Sequence, residues 1–491
     1  MALNIRDYKN SPMGLLSFYE GYIFQKIFGE RIICLRILTQ LNMLASISIV
    51  SWYYWRKTHN YQITALSLVT CALLCRICAE LLYDWNTAAY PFLVLGAIAM
   101  LEYLSCSKLK NTLFLGVALA LMTLAKFTLI VSLPGAIIFL FIANKFNKGI
   151  KDSSILILAF IVTMLVGYLI ILGSPINWID CWSPNNIITG HDNLILIVRP
   201  FKSIPRLLVE GVPLLVAFFF SQNISCLRTR LHTSIAFALS LILLFALNFS
   251  IVRMVLWFMM ADRPLVGYSS MAVGFIFVLT IFHNRFDKIK IIKIVSIFAF
   301  TIVIGFGSDV MFYRPIWFLT LPLVLIYSQI DNRTLKLWLS LSILTSMSYF
   351  AYTINNYTRA NTSSHNDYPR IAGMMETPEH SAWLSELLTD INDNVPDIND
   401  ATVAGQGKYL VNYLLTDGAG YQNNFFHYID HSETEHVNPR MLQDMSTHNY
   451  VILIGPTWQD FTKYVLNQKA IKDAGFEEVL AKPTYVLYKR K

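Results

Sequence analysis

Charge is scarce in this sequence: 14% of the residues are Asp, Glu, Lys or Arg, against 55% that are hydrophobic. A soluble globular chain carries about 25% charged residues, so most of this one cannot be water-soluble. Cysteine is sparse too. The seven are Cys34, Cys71, Cys75, Cys78, Cys106, Cys181 and Cys226, none of them in the C-terminal part of the chain, so no disulfide framework is implied there. Cys71, Cys75 and Cys78 share a helical face, but buried free cysteine commonly serves as a small apolar residue. There is no internal repeat and no low-complexity tract, which weighs against a transporter built from repeated halves.

What is abundant is long apolar sequence, such as Ser153–Gly173 and Ser234–Phe249. A membrane span needs about 20 such residues. The apolar runs give twelve spans: 31–53, 61–82, 86–105, 112–125, 127–143, 153–173, 207–221, 231–252, 264–283, 291–308, 314–329 and 336–353. The net charge of +8 comes largely from the loops between them and does not signal nucleic acid. Every second loop is basic. Arg56 and Lys57 follow the first span, Lys108 and Lys110 the third, and Lys145, Lys148 and Lys151 the fifth. Arg228 and Arg230, then Arg285, Lys288 and Lys290, then Arg333 and Lys336 continue the series. Cytoplasmic loops are the basic ones, so both termini are expected outside.

Two consequences follow from that register. The apolar run Thr112–Ile142 has to turn back at Lys126, as a hairpin whose tip sits in a protein cavity rather than in lipid. Residues 1–30 have to be external although no signal peptide or span precedes them. The expectation is therefore that a first helix is missing; the alternative is that one of the short runs is not a span, which inverts the N-terminus.

From Tyr352 onward the chain becomes polar, with Thr362–Asn366 as a linker. Strands are predicted at Thr402–Ala404, Tyr450–Ile454 and Thr484–Tyr488. Helices are predicted at Ser381–Asn394, Tyr409–Leu415 and Trp458–Ala474. Alternating strands and helices indicate a small α/β domain. The fold class is thus a polytopic α-helical membrane protein (1–353) with a C-terminal external α/β domain (354–491).

The segment Arg6–Leu38, RDYKNSPMGLLSFYEGYIFQKIFGERIICLRIL, places Asp7-Tyr8 and Pro12 before an amphipathic helix, then Phe28-Gly29 and Arg36. With the Lys126 region, LFLGVALALMTLAKFTLIVSLPG, it resembles the integral-membrane C-type glycosyltransferases. That class includes the aminoarabinose transferases and protein O-mannosyltransferases. The resemblance covers roughly the first 175 residues. It implies a multi-pass plasma (inner) membrane enzyme of the cell envelope. Such an enzyme moves a sugar from a polyprenyl-phosphate donor to a glycan, lipid or protein acceptor on the external face. The class begins with a helix ending in an acid taken as the catalytic base. This chain starts after that point, so its activity as it stands is left open.

Transfer of this kind needs a carboxylate to take the acceptor's proton and cations or donors for the departing phosphate. The external loops hold both. Asp84 and Asp7 are the candidate catalytic acids, while Lys126, Lys9, Glu20, Arg263 and Arg314 are candidate substrate-binding residues. Each has a plainer reading: Asp84 as a helix cap, Lys126 snorkelling to the interface, Arg263 and Arg314 as interfacial anchors. Arg76 and Glu80 read as a structural pair. No cofactor is certain, and whether a divalent metal assists is left open. His427, His431 and His436 lack a metal-site spacing, and the Gly405–Gly407 turn is too short for nucleotide binding. A polysaccharide polymerase or ligase would also have about a dozen spans, but with its large external loop between them. A transporter is the more distant alternative.

Overall fold

The apolar runs of the N-terminal third fold into helices whose ends meet in two distinct layers. The computed structural model describes residues 14–29, 31–59, 85–181, 287–303, 364–365, 375–376, 378–405, 442, 445–455 and 465–491. Helix α1 is Leu15–Phe28, α2 Ile32–Thr58, α3 Trp85–Ser105 and α4 Leu109–Ala125. A 3₁₀ turn, Phe127–Val131, leads into α5, Ser132–Ala143. Then come α6, Phe146–Leu172, α7, Pro175–Cys181, and α8, Lys288–Ile302. Among the described residues, three helices are long and apolar enough to cross a membrane, and two shorter apolar stretches lie between them. The expected spans 61–82, 207–221, 231–252, 264–283, 314–329 and 336–353 lie outside the described residues, as do Arg76, Glu80 and the cysteine trio.

Helix α1 ends where it does because Gly29 has φ 98°, a left-handed conformation that only glycine adopts without strain. Helix α2 then runs for 27 residues, and its exposed row of Ile37, Leu41, Leu44, Trp52 and Trp55 is a lipid-facing stripe closed by tryptophans. Helix α3 is the centre of the bundle, with Ala88, Ala89, Tyr90, Leu93, Val94 and Ala97 all fully enclosed. It forms an antiparallel hairpin with α4. Asn111 near the start of α4 donates to the carbonyls of Glu102 and Cys106 at 3.1 and 2.7 Å.

The chain does turn back at Lys126. Gly116 of α4 lies against Leu156, Ala159 and Phe160 of α6, and Leu124 lies against Gly167, so α4 and α6 run parallel. The 3₁₀ turn and α5 make the return, and α5 ends with Phe141 against Gly149 at the start of α6.

The basic segments gather at one end. Lys57 of α2 pairs with Glu102 of α3, Lys148 of α6 donates to Ser107, and Lys293 of α8 lies within electrostatic range of both Lys57 and Glu102. Four of the basic segments read from sequence as one side of the membrane therefore share one layer. The helices are longer than expected here: Lys110 and Lys148 belong to first turns and Lys151 to a second turn rather than to loops. Polar residues continue a helix beyond the apolar run, and hydropathy alone does not mark where the hydrogen-bond ladder stops.

The C-terminal part forms a four-stranded sheet of order β3-β4-β6-β5, from Ala401–Gly405, Tyr450–Ile454, Tyr485–Arg490 and Phe476–Ala481. Strands β3 and β4 are parallel, and β6 is antiparallel to both β4 and β5. A separate two-residue pairing joins β1, Ser364–His365, to β2, Met375–Glu376. Helix α9, Pro378–Asn394, covers the sheet with Leu387 and Ile391, and α10, Val465–Asp473, adds Ile471. Gly475, at φ 89°, makes the turn from α10 into β5. Strands β3, β4 and β6 fall where the sequence places them. The expected helix Tyr409–Leu415 and the three histidines lie outside the described residues.

Burial pushes the Tyr485 and Tyr488 phenols above their ordinary range, helped by the Tyr485 hydroxyl donating to Asp390 and by the charge of Glu478 near Tyr488. A raised phenol supports the fold fully below its unfolded value of about 10 and loses that support as pH climbs beyond it. Residues 354–491 made alone are expected to melt cooperatively at neutral pH, with a midpoint that falls once pH exceeds about 10. A featureless melt would show that the fragment depends on the membrane part. A midpoint indifferent to pH 11 would remove the phenols from the account.

Candidate functional site

Helix α4 is rich in Leu and Ala up to Ala125, and its ladder closes when the Lys126 N–H donates to the Met122 carbonyl at 2.9 Å. Lys126 itself is extended (φ −147°, ψ 105°), and its carbonyl accepts from Leu129 at 2.9 Å to open the 3₁₀ turn. That break takes the lysine out of the helical side-chain rows. It is 2% exposed, and its Nζ donates to Oδ1 of Asn86 at 2.8 Å, in the first turn of α3. An ammonium at membrane depth costs about 2.5–3.5 kcal/mol on insertion scales. This one is enclosed by protein and hydrogen-bonded, so it does not snorkel to solvent.

Helix α1 closes over the same end. Leu15 and Phe18 pack with Leu124 of α4 and with Tyr168, Ile171 and Leu172 of α6. Phe18 meets Trp85 edge-on, with centroids 6.5 Å apart. A Cβ built on Gly14 would lie 3.3 Å from the Ala125 carbonyl oxygen and 3.5 Å from Trp85 Cβ, so the start of α1 presses on the hairpin tip. The outer side of α1 exposes Ile23, Ile27 and Phe28 beside Lys26, the pattern of a helix lying in a membrane interface. Of its buried residues, Leu15, Phe18, Gly21 and Gln25 recur at helical spacing and, with Ser17, make the inner face.

The sequence-chosen residues divide accordingly. Lys126 is at the enclosed end, and Glu20 is half-buried on α1. Asp7, Lys9, Asp84, Arg263 and Arg314 lie outside the described residues. Asn86, which sequence reasoning noted only as a helix start, proves to hold Lys126. At the opposite, lysine-rich end two further pairs went unseen. Tyr53 donates to Glu102 at 2.5 Å, and Tyr103 donates to the buried Asp152 at 2.5 Å while accepting from Asn144 at 2.6 Å. They tie α2, α3, α6 and the residue following α5 together. The available signals were Asp152 directly after Lys151 and Glu102 as an acid near the end of an otherwise apolar run. Among the described residues no group of three or more His, Cys, Asp or Glu converges on a metal position.

Apolar helices with one lysine-rich end, and a buried lysine beneath an interfacial helix at the other, define a membrane-embedded bundle. Residues 13–171, from α1 almost to the end of α6, match the family described as dolichyl-phosphate-mannose-protein mannosyltransferase. The resemblance read from Arg6–Leu38 and the Lys126 region is borne out over that stretch. None of the curated proteins matches the chain. Among solved structures it is similar to the Archaeoglobus fulgidus oligosaccharyltransferase in complex with Zn and sulfate, at 14% identity and a TM-score of 0.46, over 90% of this chain and 59% of that one. The chain thus spans less than two thirds of that protein's length. It is also similar to the Archaeoglobus fulgidus oligosaccharyltransferase AglB in complex with an inhibitory peptide and a dolichol-phosphate (13% identity, TM-score 0.42, 99% and 69% covered). A third similarity is to ArnT from Cupriavidus metallidurans in the apo state (11%, 0.40, 97% and 87%).

Proposed function

We propose that the protein is a membrane glycosyltransferase that moves a sugar from a polyprenyl-phosphate carrier to an acceptor at the external face of the plasma membrane. The observation that carries the reading is Lys126, a lysine enclosed at the end of the bundle opposite the basic segments. The family matched by residues 13–171 is described by a dolichyl-phosphate sugar, which is a polyprenyl-phosphate donor. In the transfer, the bond from the sugar's anomeric carbon to the carrier phosphate breaks and a bond to the acceptor oxygen forms. A carboxylate takes the acceptor's proton, and polyprenyl phosphate departs. Asp84 and Asp7 supply that carboxylate. Lys126, with Lys9, Arg263 and Arg314, holds the phosphate charge, and Glu20 on α1 contacts the sugar or acceptor. The domain at 354–491 stands on the same external side. The acceptor is a glycan, lipid or protein.

The test is a sided transfer assay in proteoliposomes holding a polyprenyl-phosphate sugar, with envelope glycan, lipid and protein fractions as acceptors. Product is expected only when the acceptor is on the side where protease reaches residues 354–491. Product from the other side would overturn the external assignment. Neither carrier binding nor transfer on either side would sink the proposal as a whole.

A further inference from the structure

We infer that Asn86 is a positioning residue for the carrier phosphate, aiming the Lys126 ammonium without subtracting from its charge. The inference rests on the carrier-phosphate reading above and deepens it. Lysine has a long stem with many rotamers, and a point charge recognises phosphate well only where it is held. Here two elements distant in sequence take part in the holding. The extended backbone of Lys126 releases its side chain from α4, and the first turn of α3 presents Asn86 Oδ1 2.8 Å from Nζ. The α3 turn is itself fixed, since Trp85 packs on Phe18 and against Gly14, and Thr87 is buried. Asn86 therefore has a set direction.

The chemical choice at 86 is specific. A carboxylate would hold a lysine at least as firmly, and for a purely structural clamp it would be the stronger partner. It would also contribute a negative charge beside any phosphate drawn to the ammonium. An amide oxygen accepts the hydrogen bond and brings no formal charge. The residue at 86 thus adds no negative charge of its own beside the ammonium.

The experiment compares the full chain with Asn86→Asp, Asn86→Ala and Lys126→Met. It measures binding of a polyprenyl phosphate, binding of the corresponding uncharged polyprenol, and the thermal midpoint without ligand. Asn86→Asp is expected to keep or raise the midpoint, bind polyprenol normally and bind the phosphate at least about tenfold more weakly. Asn86→Ala is expected to lose part of the phosphate affinity and none of that for polyprenol. It carries the test if the Asp variant does not fold. A clamp with only a structural role would lower the midpoint and both affinities together in Asn86→Ala, and that result overturns the inference. Unchanged phosphate binding in both Asn86 variants, with loss in Lys126→Met, would also overturn it while leaving the carrier reading intact. Unchanged binding in Lys126→Met would overturn the assignment of the phosphate to Lys126, and the role of Asn86 with it.

Discussion

Replacing Lys126 by Met is expected to cost most of the affinity for a polyprenyl phosphate while the protein still folds. Methionine keeps the length of the stem and removes the charge, so packing of the enclosed side chain changes little. Losing a hydrogen bond between a charged group and a phosphate costs about 1.5–3 kcal/mol, or roughly tenfold to a hundredfold in binding. Loss of the attraction between full charges in a site away from water adds to that. The fold loses the hydrogen bond to Asn86 but is relieved of a buried ammonium, and these two effects have opposite sign. Lys126→Arg should keep part of the binding, since the charge remains and the guanidinium is bulkier for the same enclosure. Carrier binding in detergent, read beside a thermal shift, checks all three. Wild-type binding in the Met variant would leave the phosphate to Lys9, Arg263 or Arg314.

Gly116→Leu is expected to be the most damaging single change in the described helices. A Cβ at 116 would stand 2.7 Å from the Leu156 carbonyl oxygen, 2.8 Å from Ala159 Cβ and 3.3 Å from the Phe160 nitrogen. Two of those atoms are backbone and cannot rotate away, so α4 and α6 must separate. Small residues that let membrane helices approach this closely are replaced at high cost. Overpacking typically costs about 1–3 kcal/mol. Even Gly116→Ala should fall within that range, and Leu should exceed it. Gly135 in α5 is the control. Nothing lies within 4 Å of a Cβ there, so Gly135→Ala should be neutral or gain up to about 1 kcal/mol of helix propensity. Melting of the two Ala variants in detergent decides the matter. Equal midpoints would mean that the close approach of α4 and α6 contributes nothing to stability.

The parts legible in the sequence were those written in local periodicity and charge. The run Thr112–Ile142 was divided at Lys126 because the basic segments on either side demanded an even number of crossings, and α4 and α6 do run parallel around a returning α5. Strand β4 was read residue for residue, since YVILI is an unbroken run of β-branched, aromatic and aliphatic residues. Strand β5 was not, because FEEVLA carries two glutamates. They are tolerated there because β5 is the edge of the sheet, with one side toward water, and a register shift between Glu478 and Leu480 interrupts its pairing. The polar pairs were hidden for a different reason. Tyr53–Glu102 and Tyr103–Asp152 each join residues 49 apart, and Lys126–Asn86 joins residues 40 apart. No window of sequence contains such a pair, and only the stacking of parallel and antiparallel helices brings its members together.

The brevity of α4 bears on the lipid around it. Its 17 residues rise only about 26 Å, at 1.5 Å per residue, whereas the 27 residues of α2 and of α6 each rise about 40 Å. The hydrocarbon layer is about 30 Å thick. With the lysine-rich end at one surface, the hairpin tip falls short of the other by several ångströms, and the leaflet beside it has to thin or be replaced by protein. Helix α1, lying across that end with Ile23, Ile27 and Phe28 outward, supplies part of the replacement. On the function proposed above, a lipid-linked ligand would reach Lys126 from within its own leaflet, its head group sinking where the bilayer is thinnest, without its chain leaving the membrane.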